Sequence, residues 1–182
     1  MKGVIFRGFL EFTEQQFGDD YVEFLIHRAD LPSLGAYTNI GTYAFEELVT
    51  MVSLIIKDKG LVLNDLLESF GYFTFGHLQK TYPQLVAQYN NSFECIYHVD
   101  QTIHKNVVKI HPDAQLPDLQ AQLSEDQLHM TLNYQSKRPL IHFAIGLIKG
   151  CIGHFNDQVS IQMSDHSIEG KAQAIFELHR VS

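Results

Sequence analysis

The hydrophobic period of this chain changes after Pro112, and that change restricts the fold more than any other feature. Upstream, apolar residues recur every three or four positions; downstream, they alternate with polar ones. Ile5, Phe9, Phe12 and Phe17 predict a helix over 3–17, with Gly18 placed as its C-terminal cap. A second helix is expected over 19–29, ended by Leu31-Pro32-Ser33-Leu34-Gly35. A turn-rich connection over 36–42 then leads to a third helix over 43–59, whose stripe is Leu48, Met51, Val52 and Ile55 and which Gly60 closes. Asn64 is placed to cap a fourth helix through Leu66, Leu67 and Phe70, and Gly71 within it signals close approach of another backbone or a ligand. A short helix near Pro83 precedes a longer one over 92–110, carrying Phe93, Ile96, Ile103 and Val107.

Beyond Pro112 four alternating runs predict half-buried strands: Leu119, Ala121 and Leu123; Leu128, Met130 and Leu132; Val159, Ile161 and Met163; Ala174, Phe176 and Leu178. Between the second and third lies a helix that Pro139 is placed to open, with Leu140, Ala144, Leu147, Ile148 and Cys151 on one side. Helices, then two strands, a helix and two strands predict an α+β domain with an antiparallel sheet.

Composition narrows the function. With 182 residues, 45% of them hydrophobic, the chain suits one domain with a substantial core. A net charge of −8 and 13 scattered Lys and Arg residues oppose binding to a phosphate backbone, so no nucleic acid partner is expected. The first residues carry no long apolar run, and the most apolar stretch, 140–155, contains His142, Lys149 and His154 and is too short for a membrane span. A cytoplasmic location without membrane attachment is expected. Cys95 and Cys151, the only cysteines, cannot build a disulfide framework or a multi-cysteine metal site.

Two features carry chemistry. His104 lies beside the apolar stripe of the 92–110 helix; alone, such a histidine is more often packed core than a metal ligand. Tyr134-x-Ser136-x-Arg138 continues the parity of Leu128, Met130 and Leu132, so an extended strand would project all six side chains from one face. A phenol, a hydroxyl and a planar guanidinium in line suit an elongated acidic ligand, since arginine binds a carboxylate through two parallel hydrogen bonds. As a solitary pattern it describes many solvated strand ends.

Taken together, Ile103-His104-Lys105, the segment Pro112-Asp113-Ala114-x-Leu116-Pro117, the run Tyr134-x-Ser136-Lys137-Arg138, the opening Met1-x-Gly3-x-Ile5 and the later Gly146-Leu147-Ile148 resemble the haem-nitric oxide/oxygen binding (H-NOX) family over nearly the whole chain, in its stand-alone bacterial form. The resemblance implies one domain over 1–182, with a helical lobe over about 1–60, a sheet-containing lobe over about 61–182 and haem b between them. It assigns His104 as the single protein ligand to iron and Tyr134, Ser136 and Arg138 to the haem propionates. Ile5 and Pro117 match positions that press on the porphyrin and bend it. The distal wall is expected from Ile5, Phe9, Thr74, Leu78, Phe143 and Leu147.

Family members that retain dioxygen have a tyrosine where Phe143 stands. A phenylalanine cannot donate a hydrogen bond to bound oxygen, so nitric oxide sensing, weak carbon monoxide binding and no stable oxygen complex are expected. The resemblance further implies that nitric oxide breaks the bond from iron to His104, that the bent haem relaxes, and that a separate effector reads the change. A chain of this length is expected to hold no cyclase or kinase domain, and the resemblance to stand-alone bacterial members implies a histidine kinase or a cyclic-di-GMP enzyme as effector. The competing readings are a haem enzyme, such as a peroxidase or nitric-oxide-consuming protein, and a haem-free module for another carboxylate ligand. His77 and His142 adjoin the expected pocket. The cysteine-rich zinc site of some members has no counterpart in Ser164-Asp165-His166-Ser167.

Overall fold

A computed structural model describes residues 1–181 and yields seven α-helices and a four-stranded sheet among them. The first four helices are α1 (Gly3–Phe17), α2 (Asp19–Ala29), α3 (Phe45–Lys59) and α4 (Leu63–Thr81). Their apolar faces meet in one core of Phe6, Phe9 and Phe12 from α1, Leu25 from α2, Leu48, Met51, Val52 and Ile55 from α3, and Leu66 and Phe70 from α4. The α3 stripe is buried as its spacing predicts, whereas on α1 the deepest residues include Phe6, and Ile5 and Phe17 remain half-buried. Gly60 closes α3 in the left-handed region at φ 65°, donating its N–H to the Ile56 carbonyl.

Two helix starts differ from expectation. Tyr43 lies outside α3 because the chain's first residue pins it in an extended segment: Met1 donates its amine to the Tyr43 carbonyl (2.6 Å) and accepts the Tyr43 N–H (2.9 Å). Asn64 does not cap α4, since Val62 is the extended residue before the helix and Asn64 sits exposed in the first turn.

The second half forms α5 (Ser92–Tyr97), a π-helical turn over Val99–His104, α6 (Lys105–Ile110), β1 (Asp118–Leu123), β2 (His129–Ser136), α7 (Ile141–Phe155), β3 (Val159–Asp165) and β4 (Ala172–Arg180). The expected single helix over 92–110 is thus interrupted. The Ile103 N–H reaches back five residues to the His98 carbonyl (3.3 Å), widening the turn. Pro139 precedes α7 without entering it, as Leu140 is the residue ahead of its first turn.

The sheet runs in the order β1-β2-β4-β3, antiparallel throughout, and pairs Tyr134 with Leu119 on one side and Ala174 on the other. Its inner face, with Met130, Leu132, Tyr134, Phe176 and Leu178, packs on α5 and α7 through Phe93, Ile96, Ile141, Ile145 and Ile148 in a second core. Between the cores, α4 and α7 cross closely enough that a Cβ on Gly71 would stand 2.1 Å from the Phe143 carbonyl, and one on Gly146 would stand 2.0 Å from that of Glu68. The close approach expected at Gly71 is therefore to backbone. No helix of the described residues is long and apolar enough to cross a membrane.

Candidate functional site

His104 ends the π-helical turn, its side chain only 17% exposed, with Nδ1 3.5 Å from the Asp100 carboxylate one turn earlier. That separation is too long for a well-formed hydrogen bond, and the buried Nδ1 has no other partner. Burial pushes the imidazole below its ordinary pKa, and Asp100 pulls in the opposite direction without cancelling the effect. The ring is therefore held neutral, the form in which histidine ligates metals. An Nδ1 turned toward a carboxylate leaves Nε2 as the basic nitrogen, the arrangement that prepares a histidine for metal binding. Among the described residues no group of three or more His, Cys, Asp or Glu converges on a metal position. A metal at His104 would have to bring most of its own ligands, as iron in a porphyrin does.

The strand supplies the second part. Tyr134 is buried on the inner face of β2, its phenol pushed up in pKa by burial and pulled back by Ser136 and Arg138, so it keeps its proton and can donate. The expected common parity holds from Met130 to Ser136 but fails at both ends: Leu128 is exposed before the strand, and β2 stops at Ser136. There the Ser136 hydroxyl accepts the Arg138 N–H (3.0 Å) and turns the chain. The guanidinium then donates to the carbonyl (3.0 Å) and the side-chain oxygen (2.8 Å) of Gln115 and lies over the Phe45 ring. Two of its roughly five donors are in use, so the fork is oriented yet keeps capacity for an acidic ligand. The π-helical turn packs on β1, whose neighbour is β2, so one strand lies between the turn that carries His104 and the strand that carries Tyr134.

The expected wall is spread over three helices. Phe9 is fully buried, with Ile5 and Phe143 beside it in the helical core, and the Phe70 ring centroid lies 5.0 Å from both, edge to face with Phe9 and tilted against Phe143. Thr74 is fully buried and donates its hydroxyl to the Phe70 carbonyl (2.7 Å). Leu78, Pro117 and Leu147 are half-buried and belong to neither core. His77 is engaged through one nitrogen: Glu11 holds its Nδ1 at 2.9 Å and its ring stacks on Phe73, while its buried Nε2 has no partner. His142 is half-buried.

Sequence reasoning missed three contributors. Asp100 stands four residues before His104, a spacing that would have revealed it on a continuous helix. Gln115 meets Arg138 only through the fold. So does the bridge in which Lys2 (3.1 Å) and the Thr42 hydroxyl both engage Asp113, just beyond α6.

The model of the haem-NO-binding family matches residues 2–163. The Fe(II) unliganded H-NOX protein of K. algicida, as a point mutant, superposes with a TM-score of 0.90 at 32% identity, covering 100% of this chain and 97% of the other. An H-NOX protein from S. oneidensis in the Fe(II)NO state gives 0.87 at 24% identity over 99% and 100%. An oxygen-binding H-NOX domain related to soluble guanylate cyclases gives 0.87 at 17% over 100% and 96%. No curated protein sequence matches. The family match over most of the length and the 32% identity over the whole of it establish that the chain belongs to the haem-NO-binding (H-NOX) family of haem-based gas sensors.

Proposed function

We propose that this chain is a nitric oxide sensor that holds haem b through His104 and signals to a separate effector protein. The observation that carries the reading is the largely buried His104 imidazole, held neutral by burial, with its Nδ1 facing Asp100 at the end of a widened helical turn. Ferrous haem, when bound, supplies an iron coordination position open to diatomic gases. His104 would hold the iron through Nε2. Tyr134 and Ser136 would donate to the propionates, and Arg138 would pair with them through its free donors. Ile5 and Pro117 would set the bend of the ring by their bulk.

The gas preference follows from the wall. Phe9, Leu78, Phe143, Leu147 and Ile5 offer no hydrogen-bond donor, and the Thr74 hydroxyl spends its proton on the Phe70 carbonyl. Nitric oxide is therefore preferred, carbon monoxide binds weakly, and dioxygen finds no donor to retain it. Without a bond at His104, the π-helical turn and α6 would be free to shift. Asp113, three residues beyond the end of α6, grips Lys2 and Thr42, so that movement would reach the start of α1. Signalling requires the two positions to differ in affinity for the effector, which we assign as a histidine kinase or a cyclic-di-GMP enzyme.

The test is the visible absorption spectrum of the anaerobically reduced protein, before and after nitric oxide and, separately, air. Expected are a ferrous haem with one histidine ligand, loss of that ligand with nitric oxide, and no oxygen complex. A second protein ligand in the resting spectrum, sustained peroxide turnover, or a protein that stays colourless after haem reconstitution would each overturn the reading. His104→Ala should retain haem only when free imidazole is supplied.

A further inference from the structure

We infer that His129 and His179 form a two-histidine chelate for a divalent transition-metal ion, on the face of the sheet opposite Tyr134. The two residues are directly paired across β2 and β4. Their rings meet edge to face, 4.7 Å between centroids at 72°, and their Nδ1 atoms converge to 2.5 Å. Two imidazole nitrogens aimed at one point present the geometry of a bidentate ligand. With metal–nitrogen bonds of about 2.0–2.1 Å, a shared ion needs the nitrogens roughly 3 Å apart. Small ring rotations supply that opening, because His129 is exposed and His179 half-exposed and neither ring is locked by a core.

The scaffold and the charge favour a cation. β2 and β4 are the two interior strands of the sheet, each hydrogen-bonded on both sides, so the backbone holding the pair is preorganised. The Asp126 carboxylate accepts the N–H of Leu128 (2.9 Å), the residue before His129, and Glu177, two residues before His179 on the same face, accepts a hydrogen bond from Thr131 (2.9 Å). Paired imidazoles suit copper, nickel and zinc, with copper(II) held most tightly.

This site is distinct from the haem-binding residues. His129 and Ser136 occupy opposite ends of β2, seven residues or roughly 23 Å apart at about 3.3 Å per residue, and His129 points away from the face carrying Tyr134. A bound ion would staple the two central strands and stabilise the fold by mass action.

The experiment is calorimetric titration of the haem-loaded protein with zinc and with copper(II), together with the electron paramagnetic resonance of the copper form. Expected is one equivalent held more tightly than the rest, copper above zinc, with two nitrogen donors. His129→Gln and His179→Gln should each weaken that equivalent about tenfold or more, because each removes half of a linked donor pair. Exchanging the exposed His166 for Gln should leave it unchanged, and unaltered haem spectra in all three variants would show that they fold. Equal binding by wild type, His129→Gln and His179→Gln, or a wild type with no distinguished equivalent, would overturn the inference.

Discussion

Asp100 precedes His104 by one turn, and its Oδ1 lies 3.5 Å from the buried His104 Nδ1, which has no other partner. If His104 ligates iron as proposed, a carboxylate on this side of the ring would raise the basicity of its Nε2. Asp100→Asn keeps the size of the side chain and removes its charge. Haem should then be lost about tenfold faster, since removing such a partner typically weakens a metal site by about 10–100-fold. Transfer of haem to excess apomyoglobin measures the rate; equal rates for variant and wild type would separate Asp100 from the ligand.

Gln115 occupies two donors of Arg138 through its carbonyl and its side-chain oxygen. If the guanidinium serves the propionates, the Gln115 side chain orients or competes, whereas Arg138 itself is required. Arg138→Ala should speed haem loss severalfold while leaving the His104-ligated spectrum intact, and Gln115→Ala should change the rate much less. The same transfer assay decides between them, and the reverse order of effects would show that Gln115 is the group that matters.

Asp113 should make stability depend on acid pH. Its carboxyl is lowered from the usual value to about 2, first by the Thr42 hydroxyl and then by Lys2. Over the window between the two values the unfolded chain binds the proton more readily, so the contribution is complete above about pH 4 and is lost as the pH falls toward 2. Asp113→Asn has no such charge to lose. Denaturant midpoints of the two proteins should differ most at about pH 5, and the difference should shrink as the pH falls toward about 2. A constant difference would show that Asp113 acts through shape alone.

The residues that declared themselves in the sequence were those whose signal is local. Leu48, Met51, Val52 and Ile55 lie on one helical face, and Met130, Leu132 and Tyr134 on one strand face, because side-chain period alone places them. The interrupted helix over 92–110 was not legible, since the residues on either side keep a helical pattern and the widened turn places Ile103 against the second core. Tyr43 looked like the start of α3 but is held out of it by Met1, an interaction across 42 residues. The Gln115 contact to Arg138 spans 23 residues. Each of these depends on the assembled fold and leaves no periodic trace.

Gly146 tests the helix crossing that joins the two cores. A Cβ there would stand 2.0 Å from the Glu68 carbonyl oxygen, 2.7 Å from the Tyr72 nitrogen and 2.8 Å from the Gly71 Cα, all backbone atoms that cannot swing aside. The better helix propensity of alanine, worth about 1 kcal/mol, is outweighed by forced separation of α4 and α7. Gly146→Ala should destabilise the protein by about 1–3 kcal/mol, a fall of roughly 3–10 °C in melting temperature for a chain of this size. An unchanged melting temperature would mean that the helices can part without cost.

Phe143→Tyr tests the assignment of gas preference to one missing hydrogen-bond donor. Phe143 is half-buried on α7 beside Phe70, with ring centroids 5.0 Å apart, so the added hydroxyl enters a largely apolar neighbourhood. Burying it without a partner costs about 1–3 kcal/mol, and the variant should melt lower when haem carries no gas. Bound dioxygen would give the phenol an acceptor and recover part of that cost, whereas nitric oxide would gain much less. The variant should therefore form an oxygen complex in air that wild type does not, with its nitric oxide spectrum little changed. The melting temperature should rise on oxygenation in the variant alone, as expected for a ligand that stabilises the folded state. If Phe143→Tyr remains indifferent to air while its haem and nitric oxide spectra are normal, the donor is misplaced and gas preference in this chain is set by another part of the wall.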